Sequence, residues 1–360
     1  MPPKIPDAIS VLLLSLFAVG HAAATPPPPE TTSPESLPLL KPPALAAGAT
    51  LGLLAPASPV GDRTLEQARR NLTARGYRVQ VAPNSRARLG YLAGSDAQRV
   101  EDLHAFFRDP SIDAIICLRG GYGSPRLLDV IDYDLVRRHP KILVGYSDIT
   151  ALGIALQRRT GLIVFHGPMA VDWQKGRGLS PFAEHYYWPL FQGTSDLFAN
   201  WGAPVKGMRR PKALHGGRCE GRLTGGNLSV VCSTMGTPYE IDTRDAILFL
   251  EDVSEKLFRI DRMLNQLRLA GKLGECRGIL LGRFAGCEES DGGVSRQEVF
   301  EDYLLPLGIP VLVDYPAGHV ADHAVLPLGI RVRLDADNAV LSLLESPVAV
   351  TNTATPTAGK

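Results

Sequence analysis

The chain has 360 residues, 45% of them hydrophobic and 21% charged, with a formal net charge of +1. That balance belongs to an ordinary globular protein long enough for two hydrophobic cores, and it gives no electrostatic reason to expect nucleic acid or an anionic membrane surface as partner. Five cysteines form no C-x-x-C pair and no even framework; Cys117 and Cys232 stand inside apolar runs as small core residues, and a single disulfide stays open.

At the amino terminus, Lys4 precedes an apolar run from Ile9 to Val19, followed by the small residues Ala22, Ala23 and Ala24. The run is too short to span a bilayer, so residues 1–24 read as a signal peptide for export, with no stable membrane anchor after cleavage. Residues 25–47, rich in Pro and Thr, read as a disordered tether, and 346–360 as a disordered tail.

From Thr50 the pattern alternates strand and helix, which argues for a mostly parallel sheet covered on both faces. A strand over 50–54 ends in the Pro56-Ala-Ser-Pro59 loop, a helix over 62–75 closes at Gly76, and a second strand covers 77–81. Ser95 with Gln98 forms a capping box for a helix to Arg108. A strand over 113–118 opens into Arg119-Gly-Gly-Tyr-Gly-Ser-Pro125, where Ser124 is expected to cap a helix beginning at Pro125. A fourth strand over 142–144 turns into a helix closed by Thr160-Gly161, and a fifth strand follows over 162–165. The aromatic stretch 182–201 is expected to pack an interdomain connection, with a lid or a dimer contact as alternatives. Beyond Lys212 come short glycine-rich strands and few helices, the clearest over 256–269, which suggests a small barrel or sandwich. The expected division is an α/β domain over 48–195, a linker over 196–211 and a β-rich domain over 212–345.

Ser147 stands where the fourth strand turns into its helix. That is the mechanical logic of a nucleophile elbow, although Gly145-Tyr-Ser-Asp-Ile149 lacks the second glycine of G-x-S-x-G, and a helix N-cap is the open alternative. The loop 119–124 fails as a dinucleotide fingerprint because Arg126 stands where the third glycine belongs. Its glycines do permit close backbone approach, leaving amides available to an oxyanion. Among the histidines, His319 and His323 lie in a Pro/Gly loop, while His166 follows a strand edge and competes with them. No helix orders His319, Asp322 and His323 as metal ligands. Glu251 ends an apolar strand and suits an acid that orients an imidazole, with Asp252 and Glu255 as rivals.

Together, Arg119-Gly-Gly-Tyr-Gly123, Gly145-Tyr-Ser-Asp148, Phe249-Leu-Glu-Asp252 with Arg259-Ile-Asp-Arg262, and Pro316-Ala-Gly-His319 resemble the LD-carboxypeptidases. These are serine peptidases of peptidoglycan turnover, a family that includes the microcin immunity peptidases. The resemblance spans residues 50–345. It implies a Rossmann-like α/β domain, a swivelling β-barrel domain and a homodimer. It further implies Ser147 as nucleophile, His319 as general base, Glu251 as orienting acid, and the amides of Asp148 and Gly121 as oxyanion hole. No metal or organic cofactor is required. The implied substrate is a murein tetrapeptide, cut between the L-centre of diaminopimelate or lysine and the terminal D-alanine. Two further readings are a hydrolase of other amide conjugates, such as peptide-nucleotide antibiotics, and a non-catalytic muropeptide-binding protein. The leader departs from the many cytoplasmic relatives and places the expected site of action in the periplasm.

Overall fold

The computed structural model describes residues 37–173, 178–194 and 196–349; the expected signal peptide lies outside them. From Leu37 onward the chain forms one compact unit. Its elements run β1 (Thr50–Leu54), α1 (Asp62–Ala74), β2 (Arg78–Val81), α2 (Asp96–Arg108), β3 (Ala114–Cys117), α3 (Tyr133–Arg138), β4 (Ile142–Val144), α4 (Ile149–Thr160), β5 (Val164–His166) and α5 (Pro181–Gln192). The second half continues with β6 (Lys212–His215), β7 (Arg218–Asn227), α6 (Leu228–Ser233), β8 (Ala246–Val253), α7 (Leu257–Leu269), β9 (Gly278–Ala285), β10 (Ser290–Asp291), β11 (Val294–Ser295), α8 (Arg296–Leu304), β12 (Val311–Val313), β13 (Leu326–Leu328), β14 (Arg331–Asp335) and β15 (Val340–Leu343).

The first sheet has the order β13-β5-β4-β3-β1-β2. Its five amino-terminal strands pair parallel, and β1, β3 and β4 are buried along their whole length. Burial on both faces explains why they read as unbroken apolar runs. The sixth strand, β13, comes from the far end of the chain and pairs antiparallel with β5. Its Leu-Pro-Leu sequence suits an edge, where a missing N–H is tolerated. The second sheet has the order β15-β14-β7-β8-β9-β12-β6, with a parallel centre from β7 to β12 and antiparallel flanks. One core cluster runs from Leu51 in β1 to Leu341 in β15 and so spans both sheets.

Several expectations change. The stretch predicted as a tether through residue 47 is fixed from Leu37: Leu40 bridges Leu162, Pro43 bridges Ala349, and Leu45 is buried. At the other end Val348 is buried and Ala349 N–H donates to Pro42 O at 2.8 Å, so the start of the predicted loose tail is packed too. A few apolar anchors suffice for this, and averaging composition over a Pro-rich window conceals them.

The aromatic stretch is largely a helix, α5, begun by Ser180 accepting from Ala183 N–H and stopped by Gly193 in the left-handed region. Its Tyr187 and Phe191 are buried, and Trp188 stacks on Tyr77 at 4.6 Å. Ser124 does not cap a following α-helix; it opens a short 3-10 turn, and its hydroxyl turns toward Asp148. All five cysteines are free thiols. Among the described residues no helix is long and apolar enough to cross a membrane.

Candidate active site

Ser147 lies in the four-residue turn between β4 and α4 with φ of +63°, the left-handed region that non-glycine residues rarely occupy. The turn closes through Ile149 N–H to Tyr146 O at 3.3 Å and Thr150 N–H to Ser147 O at 2.9 Å. A side chain on Gly145 would meet Ile149 Cγ2 at 2.7 Å, so the glycine lets the strand pass under the buried residue that replaces the missing second glycine. The cap of α4 falls on Asp148, whose side chain makes no capping hydrogen bond to the helix. Ser147 therefore does not act as the cap, and its half-buried hydroxyl stands at the carboxyl edge of the sheet, where open α/β folds bind ligands.

Against this turn lies the glycine loop. A Cβ on Gly120 would come within 2.9 Å of Ser147 Cβ, 3.1 Å of Asp148 N and 3.2 Å of Ser147 Oγ, so only glycine permits this approach. The next residue, Gly121, has φ of +99°, and a Cβ there would strike Ser58 Oγ at 2.4 Å. Two neighbours hold the loop. Ser58 N–H donates to Gly120 O at 3.2 Å and its hydroxyl accepts from Tyr122 N–H at 3.1 Å, while Asp148 Oδ2 accepts from Ser124 N–H at 2.8 Å. Burial pushes the Asp148 carboxyl up, and the Ser124 hydrogen bonds oppose it. Sequence reasoning named Gly121 and Asp148 but missed Gly120, Ser58 and the Ser124 tie. Ser58 was visible only as a polar residue between prolines in the loop after β1.

The second sheet supplies an acid and an imidazole. Glu251, fully buried in β8, accepts a hydrogen bond from His319 Nδ1 at 2.8 Å on Oε2 and one from Asn227 Nδ2 at 3.3 Å on Oε1. Gly318, at φ +116°, makes room for it: a Cβ there would meet Glu251 Oε2 at 2.7 Å. Burial pushes the Glu251 carboxyl above its ordinary value, against the pull of the His319 bond. Burial alone lowers His319, but the hydrogen bond and charge of Glu251 outweigh it and hold the imidazole above its ordinary value.

The rivals are otherwise engaged. Asp252 accepts from Ser229 N–H and Oγ at 2.9 and 2.7 Å and from Asn227 Nδ2 at 3.0 Å, while Glu255 pairs with Arg259 at 3.3 Å. His166 and His323 are both buried, their rings 5.3 Å apart, and burial pushes His166 well down and His323 down to about 3. His319, by contrast, has the Glu251 carboxylate on its Nδ1, which suits it better to the part of a base. Tyr146 joins the two halves of the site: its ring lies 4.9 Å from that of His319, and Ser147 is the next residue. Asn227 joins them a second time, through its N–H to Thr150 Oγ1 at 3.1 Å. Among the described residues no hydrogen bond runs from Ser147 Oγ to His319.

Residues 51–167 match the LD-carboxypeptidase N-terminal domain and residues 220–334 the LD-carboxypeptidase C-terminal domain. The chain belongs to the LD-carboxypeptidase family. It is 40% identical over 297 residues to a probable murein peptide carboxypeptidase of Bacillus subtilis, covering 82% of this chain and 91% of that protein. To the murein tetrapeptide carboxypeptidase of Pseudomonas aeruginosa it is 35% identical, over 80% of this chain and 93% of the other. The crystal structure of muramoyltetrapeptide carboxypeptidase from Oxalobacter formigenes superposes with a TM-score of 0.71 at 30% identity, covering 82% and 98% of the two chains. The protein is thus a carboxypeptidase, and its α/β sheet followed by a smaller β-rich half is the fold of LD-carboxypeptidases.

Proposed function

We propose that this LD-carboxypeptidase cleaves murein tetrapeptides through an acyl-enzyme on Ser147, releasing the terminal D-alanine from the L-centre of diaminopimelate or lysine. The observation that carries the reading is the hydrogen-bonded Glu251–His319 pair, brought beside the Ser147 turn by the Tyr146 contact. With Nδ1 engaged by Glu251, His319 has Nε2 available as the base. It takes the Ser147 proton as the hydroxyl attacks the scissile carbonyl, and Glu251 stabilises the imidazolium that forms. The amides of Asp148 and Gly121 hold the tetrahedral oxyanion, the latter on the peptide that leaves Gly120. His319 then returns the proton to the departing amine, and water attacks the acyl-enzyme by the same route.

The names of the relatives support the substrate, since the Pseudomonas protein is a murein tetrapeptide carboxypeptidase. Export through the apolar leader brings the enzyme to periplasmic peptidoglycan or its released fragments, which fractionation of the source cells checks. The decisive assay incubates purified protein with murein tetrapeptide and follows tripeptide and D-alanine by mass spectrometry. Binding without cleavage contradicts the enzyme reading, and turnover of peptide-nucleotide conjugates alone contradicts the substrate.

A further inference from the structure

Arg99 lies near the start of α2, where an arginine reads as a solvent-facing residue, yet it is only 1% exposed. Its Nη1 donates to Gly123 O at 2.8 Å and to Pro56 O, and its Nη2 pairs with Asp96. Asp96 is gripped from its other side by Arg126, at 2.8 to 3.1 Å. The two carbonyls that Arg99 holds belong to the two segments forming the wall against Ser147. One is the loop after β1, which carries Ser58; the other is the glycine loop, which carries Gly120 and Gly121. Gly123 sits at φ +134°, and a Cβ there would meet Arg99 Nη1 at 2.8 Å, so the carbonyl reaches the guanidinium only because the residue is glycine.

Stability does not account for this arrangement. Among the described residues Arg99 Nε has no hydrogen-bond partner, and replacing a buried ion pair by apolar side chains of similar volume is often neutral or stabilising. What one rigid guanidinium does well is fix two backbone segments relative to each other.

We propose that Arg99 is a positioning residue for the oxyanion loop. By tying Gly123 to Pro56 it keeps the Gly120–Gly121 peptide seated against Ser147 and the Asp148 amide. The inference rests on the serine-hydrolase reading above and extends it to a side chain that touches no reacting atom.

The test uses Arg99→Met, which fills the volume without donors, and Arg99→Lys, which keeps the charge but not the fork. With murein tetrapeptide, Arg99→Met loses about 10- to 100-fold in kcat while KM stays within about threefold, the signature of a stabilisation made only in the transition state. Arg99→Lys recovers part of that loss. Wild-type kcat in either folded variant, or a raised KM at unchanged kcat, overturns the proposal; if Arg99→Met does not fold, the lysine variant carries the test alone.

A parallel measurement separates this claim from the substrate assignment. Covalent labelling of Ser147 by a fluorophosphonate needs the same amides for its phosphonyl oxygen, whatever peptide the enzyme cuts. Wild type that labels but leaves tetrapeptide intact refutes the substrate. Equal labelling rates in wild type and Arg99→Met refute the positioning role.

Discussion

The two halves of the site are built on opposite principles. On the first sheet the proposed nucleophile is displayed by backbone: a short turn at positive φ lifts Ser147 above the sheet edge, and a glycine loop closes on it with no side chain between. On the second sheet the proposed acid and base are held by burial: Glu251 is wholly enclosed, and His319 is oriented by a 2.8 Å hydrogen bond to it. Strain serves exposure on one side; on the other a buried carboxylate raises the basicity of the imidazole against the desolvation that lowers it. Changes to the first side should therefore act on attack and oxyanion stabilisation, and changes to the second on protonation.

The largest expected effect removes the displayed atom. Ser147→Ala should lower kcat on the order of a million-fold, as for loss of other triad nucleophiles, with the fold and substrate binding retained by calorimetry. Next comes the buried acid: Glu251→Gln should cost about 10⁴-fold in kcat. This variant also tests the difference between the two sides. His319 must be neutral to accept a proton, and Glu251 holds its pKa above the ordinary 6.5. Wild-type kcat/KM should therefore rise with pH through a midpoint above 6.5, and in Glu251→Gln the residual activity should rise through a lower midpoint, because the largest contribution opposing burial is then gone and only the charges of Asp252 and Asp172 remain. An unchanged midpoint breaks the distinction.

Smaller effects probe one contact on each side. Gly120→Ala puts a Cβ 2.9 Å from Ser147 Cβ, and displacing the loop should lower kcat about 100-fold with little change in the pH midpoint. Asn227→Ala removes the donor to Glu251 Oε1 and Asp252 Oδ1. A loss of about tenfold in kcat is expected from this orienting contact, together with some loss of thermal stability, read by differential scanning calorimetry.

How much of this the sequence disclosed follows the same division. The elbow was legible because strand, turn and helix lie within twenty residues and their periodicities change at Ser147. The capping box at Ser95 and the buried face of Leu257, Ile260, Leu264 and Leu267 were legible for the same local reason. Glu251 is preferred to Asp252 because it ends an apolar strand, but what separates the two in the fold was not legible. That separation depends on Ser229, which engages Asp252 from a neighbouring helix, and on a register shift between Leu250 and Asp252 of the kind that re-aims side chains. β13 was missed because three residues around a proline carry no periodic signal, although this strand completes the first sheet. Arg99 and Ser58 were missed because their partners are backbone carbonyls and amides, which the amino-acid sequence does not single out.

The most direct test of the central claim is the identity of the covalent intermediate. Murein tetrapeptide is mixed with enzyme, quenched in acid within the first turnover, and the digest is mapped by mass spectrometry. The account predicts a tripeptidyl adduct on the peptide containing Ser147, present in the wild type and lost in Ser147→Ala together with D-alanine release. An adduct on any other residue, or D-alanine release by Ser147→Ala at a rate near the wild type, would contradict it.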